Sequence, residues 1–527
     1  MLTLSVPTID HSMRPHKVET RPKATTAWLS RLPFASPIDA AQQLAMALYT
    51  LNRIPLDEDE RGALLALYRP VVARAASSLE VLLSESGIPP HPQQRQAGSL
   101  LGELHAEHSI GYKHLLRSLT SRRFGRSQTR YIAEITAHSL AALRDVQLAC
   151  YLTYSPVPAG LWREMHNLYL LTKSNGMAGK TVNDALPADQ VYCQALLLAL
   201  ADPPHMSRAE LAHIQLYLEA FGKLAVLGDP PPGNNPHGFM IETGSDRGPG
   251  PQSTGPDVGG LWLDTEALCR HLHETAVRLR TGDTPRRIGL PTGMDSETSL
   301  TLAKRLLKLW RPGAHRAFKR YPAPGTAIQI VAGVSAIHRL LERAPHAARL
   351  PAASTDPRSG PDGGAIDAAA PAVNASHWTV CNDSAAGLAL SGTPDTPLNL
   401  KVGDALALRA EDAVGWSLAI IRWVRMLDAR QVDLGVERLS PRIQPVWVRP
   451  LRSHRKAGPK PGLFVPGVSA LKQPDRLLLP SHIYQTGMDA EVWHAPQQYT
   501  VKFGRRAEFT PSFDLINFTV LTKAPAQ

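Results

Sequence analysis

Apolar residues in the first half of the chain recur at the three- and four-residue spacing that is typical of amphipathic helices. In the segment after Asp57, the residues Leu64, Tyr68 and Val72 form such a stripe. Pro70 lies inside this pattern and predicts a kink or break, because proline removes a backbone donor. Similar patterns follow at about 93–122, 127–153, 160–174, 186–201 and 207–226. We therefore predict an N-terminal all-α helical domain over residues 31–228, an irregular bundle or superhelix.

Segments of different composition flank this helical domain. Residues 1–30 contain no apolar run of the length found in a signal peptide, and we expect a disordered leader there. Residues 229–260 are rich in proline and glycine and form a predicted connector around the short strand-like stretch FMIET. Two more amphipathic segments in residues 261–310 each end at a glycine, which is a common helix-terminating residue, and predict a helical pair.

After Trp310 the apolar positions alternate, as in strands. Runs such as GTAIQIVAGVSAIH and GWSLAIIRWVRML are separated by turn residues and predict a barrel or sandwich at 311–440. A tract of Ala, Pro, Gly and Ser at about 344–376 separates the first two strands and is expected to be a disordered insertion. Further strand-like runs predict a second small β domain at 441–527. The predicted fold class is therefore multidomain α + β.

The net charge indicates which class of partner the protein binds, and the cysteine content indicates its cellular compartment. The 527 residues carry a formal net charge of +11, which favours anionic partners. No nucleic-acid-binding module accompanies the charge, so we do not expect nucleic acid as the partner; binding to DNA or RNA that weakens steeply with salt would indicate the opposite. The four cysteines show no CxxC spacing, and no 18-residue apolar run is present. These features predict a protein of the cytoplasm with no membrane span.

No catalytic motif is recognisable. The sequence lacks G-x-S-x-G, a Walker loop and G-x-G-x-x-G after a strand. Histidines occur near acidic residues on predicted helices, and we interpret them as surface or capping contacts, not as metal ligands. These are His105 and His108 near Glu103 and Glu107, His138 near Glu134, and His271 and His273 near Glu274. We therefore predict no catalytic residues, no metal site and no cofactor, although a catalytic cluster built from distant residues would leave no such signal.

Two short motifs carry the candidate chemistry. Arg316 and Arg320 lie four residues apart just before the first predicted strand, so both guanidinium groups can face one ligand. Such forks suit a phosphate or the Hoogsteen edge of guanine. In the stretch NDSAAG, Asn382 and Ser384 offer polar side chains, and Gly387 permits a turn or the close approach of a flat ligand.

Both motifs, in this order and at strand boundaries, resemble the PilZ domain family. HRAFKRYPAPGTAIQI resembles the start of the family's domain, and NDSAAGLAL resembles its second motif. WSLAIIRWVRML and VDLGVERLS resemble its later strands, so the resemblance covers residues 311–440. It implies a six-stranded β-barrel that binds the second messenger cyclic di-GMP. By the same resemblance, Arg316 and Arg320 clamp guanine and phosphate, while Asn382, Ser384 and Gly387 hold another guanine on the barrel wall.

The resemblance supports one main hypothesis. The chain would be a cytosolic, non-enzymatic receptor that binds cyclic di-GMP and transmits the signal to an unknown protein partner through its helical domain. The alternative is a protein-interaction scaffold with a degenerate PilZ-like barrel that binds no nucleotide, because a fold does not guarantee a function.

Overall fold

The protein is described by a computed structural model over most of its length. The described residues are 4–12, 18–121, 126–180, 185–230, 238–249, 260–312, 321–343, 375–384, 386–394, 398–411, 413–428, 430–451, 458–467, 473–481, 483–494 and 497–525. They divide into two compact units. The helical unit comprises Met1–Ser86 and Pro90–Arg316, and the barrel unit comprises Gly87–Pro89 and Ala317–Gln527.

The helical unit confirms the predicted helical N-terminal region. Its helices, within the described residues, are α1 (Pro22–Leu29), α2 (Pro37–Leu51), α3 (Glu58–Ser84), α4 (Pro92–Leu119), α5 (Arg126–Leu152), α6 (Leu161–Ser174), α7 (Ala188–Leu200), α8 (Arg208–Phe221), α9 (Glu266–Arg280) and α10 (Ser296–Leu309). None of the helices in this described set is both long and apolar enough to cross a membrane.

Helix α3 shows why the sequence starts a helix where it does, and why it does not stop at the proline. The Asp57 carboxylate accepts a hydrogen bond from the Glu60 backbone N–H at 2.8 Å, which satisfies a donor that the helix start leaves free. The predicted break at Pro70 is wrong, because α3 continues through it. Tyr68 and Val72 on either side are buried, so tertiary packing holds the helix together despite the missing hydrogen bond.

Helix α7 forms the centre of the helical unit. Tyr192, Leu196 and Leu197 have no exposed surface, and α5, α6 and α8 pack around them. The sequence of α7 is apolar on nearly all sides, which is the pattern of a core helix.

The predicted helical pair at 261–310 belongs to this unit. Three antiparallel strands in the order β1–β3–β2 accompany it, namely β1 (Val226–Gly228), β2 (Gly238–Ile241) and β3 (Leu261–Asp264). Trp310 after α10 is completely buried, and its indole N–H donates to the Leu197 carbonyl oxygen at 3.0 Å. The Thr265 hydroxyl donates to the Trp310 carbonyl oxygen at 2.8 Å. These contacts join the pair to the core around α7.

The predicted disordered leader at residues 1–30 needs correction. Pro22–Leu29 is helix α1, and its Leu29 is buried in a cluster with residues of α2 and α3. Leu4 is also buried in the main core of the helical unit. With only eight residues, α1 shows too little periodicity for the sequence pattern to indicate it.

The first barrel confirms the six-stranded prediction. Its strands are β4 (Tyr321–Ala332), β5 (Ser376–Asp383), β6 (Gly387–Gly392), β7 (Ala405–Ala410), β8 (Ser417–Met426) and β9 (Val432–Ser440). They close in the order β4–β5–β6–β9–β8–β7, and every pair is antiparallel. Ile328, Trp378, Val380 and Leu390 are buried and pair across neighbouring strands on one face of this sheet.

The connection between β4 and β5 differs from the prediction. VSAIH was assigned to a strand, but Val334–Glu342 forms helix α11. Gly333, with φ of 85°, ends the strand in a backbone conformation that favours glycine. The tract predicted to be a disordered insertion at 344–376 lies outside the described residues as far as residue 374, and β5 begins at Ser376. The insertion leaves the pairing of β4 with β5 intact.

The C-terminal β region is a second closed barrel. Its strands are β10 (Gln444–Pro450), β11 (Lys460–Val465), β12 (Arg476–Pro480), β13 (Asp489–His494), β14 (Gln497–Phe509) and β15 (Phe513–Pro525), in the order β10–β11–β12–β15–β14–β13. Ile337 of α11 lies in one apolar cluster with Ile420 of the first barrel and Phe513 of the second. Helix α11 therefore gives the two barrels a shared core.

Candidate ligand-binding site

The polar stretch NDSAAG forms the connection between β5 and β6. The Ser384 backbone N–H donates to the Gly387 carbonyl oxygen at 2.9 Å, and the Gly387 N–H donates back to the Ser384 carbonyl oxygen at 3.3 Å. These bonds close a tight turn, which we call the motif turn (residues 383, 384, 386 and 387; residue 385 lies outside the described residues). The turn explains why small and polar residues interrupt two apolar strands.

The Ser384 hydroxyl takes part in this turn. Its oxygen donates to the Gly387 carbonyl oxygen at 3.0 Å and accepts from the Gly387 N–H at 3.2 Å. A hydroxyl has one donor and two acceptor positions. Ser384 therefore has one acceptor position left for another group while the turn stays closed.

Gly387 is required by a close approach between strands. It pairs with Glu437 of β9, and a Cβ atom at this position would overlap the carbonyl oxygen of Val436. The backbone at Gly387 is not in the left-handed region. The glycine thus serves β6–β9 packing, in addition to any role near a ligand.

Asn382 lies at the end of β5, beside a bulge. The register shifts between Val380, which pairs with Leu390, and Asn382, which pairs with Ala389. A bulge changes the direction of the following side chains. No hydrogen bond of the Asn382 side chain to another residue in the described ranges is found, and the residue is half-buried.

A residue that sequence reasoning missed ties the motif turn to β9. The Arg438 guanidinium donates to both carboxylate oxygens of Asp383, at 2.8 and 3.1 Å, and to the Ser384 carbonyl oxygen at 2.9 Å. Its backbone N–H also donates to the Ala386 carbonyl oxygen at 2.9 Å. Asp383 and Arg438 are 44% and 42% exposed, so the pair contributes about 0–1 kcal/mol to stability.

The predicted arginine pair lies outside the described residues. Arg316 and Arg320 precede Tyr321, the first described residue of β4. Tyr321 pairs with Asp383, and Pro322 pairs with Asn382. Strand β4 therefore begins opposite the motif turn, while the geometry of the two arginines themselves is not described.

A second ion-pair group lies on β9 beside the motif turn. Arg422 of β8 donates to Glu437 at 2.6 Å and to Glu508 of the second barrel at 2.9 Å. Burial alone would lower the pKa of Arg422, but the hydrogen bonds and charges of Glu508 and Glu437 raise it above its ordinary value. Arg422 thus stays charged and links the β9 strand of the site to the second barrel.

Some of the helical histidines are not the surface or capping contacts that the sequence predicted. His105 and His108 are buried, and His138 stacks on Tyr112 and hydrogen-bonds to Arg69, whereas His273 is exposed as expected. Burial lowers the pKa of His108 to about 3, so its imidazole is neutral at physiological pH. Across the described parts of the chain, no group of three His, Cys, Asp or Glu residues is placed to hold a metal ion.

The first barrel was compared with the models of known protein families. Residues 365–445, which contain β5 to β9, match the family model described as the middle PilZ domain of the cyclic-di-GMP receptor FimW. The first barrel is a PilZ domain. This confirms the resemblance seen in the sequence, although Arg316 and Arg320 lie before the matched residues of the PilZ domain.

The regions on either side of the PilZ domain match the other parts of the same receptor. Residues 23–232 match the model of the FimW N-terminal domain, and residues 446–521 match that of the FimW C-terminal β-barrel domain. Over the whole chain, the sequence is similar to the cyclic-di-GMP receptor FimW of Pseudomonas aeruginosa PAO1. The two are 25% identical over 558 aligned positions, which cover 95% of this chain and 90% of the relative. No solved structure matches the chain.

Proposed function

We propose that the chain is a receptor that binds cyclic di-GMP through its PilZ domain and transmits the signal to a protein partner through its helical domain. The relative FimW is by name a cyclic-di-GMP receptor, and its similarity extends over all three regions of the chain. The observation that carries the proposal is the position of the motif turn opposite the start of β4. That strand follows directly on the segment with the two motif arginines.

Covalent geometry supports a site made by both motifs. Arg320 is bonded to Tyr321, which pairs with Asp383 beside Ser384. Arg316 is five residues before Tyr321, so its Cα lies within about 18 Å of that strand end even when the chain is fully extended. A ligand at the motif turn is therefore within reach of the segment that carries both guanidinium groups.

The chemistry of each group fits a guanine nucleotide with two phosphodiesters. Arg316 and Arg320 would pair with phosphate oxygens and with the N7 and O6 acceptors of guanine. Asn382 offers an amide that can donate and accept. Ser384 would accept a hydrogen bond from a guanine N–H, because its own proton is engaged by Gly387.

The proposal also covers the cellular compartment, the absence of a catalytic role and the protein partner. We place the receptor in the cytoplasm, where a nucleotide second messenger acts, and assign it no catalytic role. The relative's description as a receptor supports this assignment. Because the helical unit has a hydrophobic core of its own, we assign the surface for a protein partner to it.

Calorimetric titration of the full chain with cyclic di-GMP tests the proposal. We expect micromolar or tighter binding, and a loss of at least about 100-fold in Arg316→Ala/Arg320→Ala, since charge-assisted contacts contribute about 1.5–3 kcal/mol each. The control is Arg339→Ala/Arg343→Ala, which removes the same charge at the same spacing from α11 and its C-cap. It should bind like the wild type.

Other outcomes would redirect the proposal. Equal binding by the site variant would keep the ligand and reject the arginine site. No binding by the wild type, checked by an optical assay, would indicate a scaffold whose PilZ barrel binds no nucleotide. If the wild type binds, hydrogen exchange with and without the nucleotide reports whether helices α2 to α8 respond, as signal transmission requires.

A further inference from the structure

The motif turn contains a carboxylate, which is unexpected beside a site for an anion. Asp383 lies between Asn382 and Ser384, and its side chain is 44% exposed. A negative charge at this position would repel a ligand that carries two phosphodiesters. Within the described residues, Asp383 forms an ion pair with Arg438 of β9.

The pairing between Asp383 and Arg438 neutralises this charge with defined geometry. Two parallel contacts of 2.8 and 3.1 Å join the guanidinium to both oxygens of the carboxylate. Such bidentate pairs fix direction as well as charge. Arg438 therefore cancels the charge of Asp383 without leaving it free to swing toward a ligand.

The same arginine also holds the backbone of the motif turn. Its guanidinium reaches the Ser384 carbonyl oxygen at 2.9 Å, and its own N–H reaches the Ala386 carbonyl oxygen at 2.9 Å. One residue of β9 thus contacts three residues of the turn, Asp383, Ser384 and Ala386. Because so exposed a pair adds little to global stability, its effect is local.

We propose that Arg438 is a positioning residue for nucleotide binding, which acts through Asp383 by neutralising its carboxylate and by holding the motif turn in shape. This inference rests on the proposed function and extends it to two residues outside the Arg-x-x-x-Arg and Asn-x-Ser-x-x-Gly motifs. Arg438 does not need to touch the ligand. Asp383 is the group that it makes compatible with an anion.

Four variants of the full chain separate this role from a direct contact. Arg438→Gln should weaken cyclic di-GMP binding about tenfold, because it leaves Asp383 unpaired at the ligand wall. Asp383→Asn alone should bind as well as the wild type or more tightly. The double variant Asp383→Asn/Arg438→Gln should regain most of the lost affinity, since the repelling charge is gone.

The matched control is Arg449→Gln in the second barrel. Arg449 pairs with Glu491 and is 45% exposed, close to the exposure of Arg438, but it lies on β10. Loss of this charge should leave nucleotide affinity unchanged. A tenfold loss in this control would overturn the inference, because any missing surface arginine would then weaken binding.

The double variant decides how Arg438 acts. If it binds as weakly as Arg438→Gln alone, Arg438 contacts the ligand directly or acts without Asp383, and the inference is overturned. A purely structural role predicts no rescue by Asp383→Asn. Rescue therefore distinguishes neutralisation of the carboxylate from a general effect on the fold.

A measurement without ligand separates this inference from the proposed function. Hydrogen exchange at the Gly387 amide, which is bonded inside the motif turn, should be faster in Arg438→Gln than in the wild type or in Arg449→Gln. Unchanged exchange would overturn the positioning of the turn. If the wild type does not bind cyclic di-GMP, the proposed function and the neutralising role fail together, and the exchange result still decides whether Arg438 orders the turn.

Discussion

At the scale of single residues, the sequence motif predicted some residues of the candidate site and missed another. Asn382, Ser384 and Gly387 were predicted from their spacing, and the structure places them around one turn. Arg438 was missed because it is 54 residues from Ser384 in the sequence, and only the pairing of β6 with β9 brings it there. The residues VERL were part of the resemblance, but spacing alone could not connect them to the turn.

Gly387→Ala should destabilise the PilZ domain by about 1–3 kcal/mol, the usual cost of forcing atoms into a packed region. The new methyl group would overlap the Val436 carbonyl oxygen, which belongs to a strand backbone and cannot move freely. Hydrogen exchange of peptides from β6 and β9, together with denaturant unfolding, measures the effect.

Gly415→Ala is the control for this substitution. Gly415 lies in the connection between β7 and β8, and a Cβ there would meet no atom within 4 Å. The free energy of unfolding of Gly415→Ala should stay within about 0.5 kcal/mol of the wild-type value. Equal effects at both positions would show that β6 and β9 can separate to admit the methyl group.

At the scale of elements, helix α11 shows where the local sequence pattern predicts the wrong secondary structure. The run IQIVAGVSAIH is rich in β-branched residues and was predicted as strand throughout. The structure ends β4 at Ala332 and continues as a helix after Gly333, because Ile337 and His338 then become buried. Trp447 of β10 also donates to Glu342 at 2.7 Å. Contacts with two barrels decided the conformation of this segment.

Ile337→Ala should destabilise the barrel unit by about 2–5 kcal/mol, because it leaves a cavity in the core that α11 shares with both barrels. Denaturant unfolding of the full chain, followed by tryptophan fluorescence, provides the measurement. Arg339→Ala on the exposed side of the same helix should cost less than about 0.5 kcal/mol. A similar small cost at Ile337 would contradict a shared core.

At the scale of the whole molecule, buried histidines make the stability of the helical unit sensitive to acid. Among the described residues of the helical unit, burial lowers the pKa of the histidines His105, His108, His114, His166 and His271. In the unfolded chain these histidines bind protons below about pH 6.5, whereas in the folded chain they do so only at lower pH. The free energy of unfolding of the helical unit therefore decreases as the pH falls. Glu80, whose pKa burial raises to about 7, and Asp189 act in the opposite direction but are fewer.

The helical unit should therefore lose stability as the pH falls from 6.5 to about 4. His108→Phe should reduce this slope by about 1.4 kcal/mol per pH unit, the share of one histidine that is protonated only when unfolded. Denaturant unfolding at several pH values, followed by far-ultraviolet circular dichroism, tests it. Exposed His273→Phe should keep the wild-type slope, and an equal reduction in both variants would contradict the role of burial.

The sequence by itself determined the order and type of most elements and the chemistry of the motif turn. Apolar spacing is a local property, so it predicted α4 to α8, the strands of both barrels and the six-stranded form implied by the PilZ resemblance. Asn382, Ser384 and Gly387 followed from a motif of six residues.

Only the tertiary structure decided what depends on contacts between distant residues. The passage of α3 through Pro70, the conversion of residues 334–342 into a helix and the burial of Trp310 all follow from packing. The pairing of Arg438 with Asp383, and that of Arg422 with Glu508, follow from barrel closure and from the shared core. The local spacing of apolar residues along the sequence does not reveal the free energy of such contacts, because the partners meet only after the chain has folded.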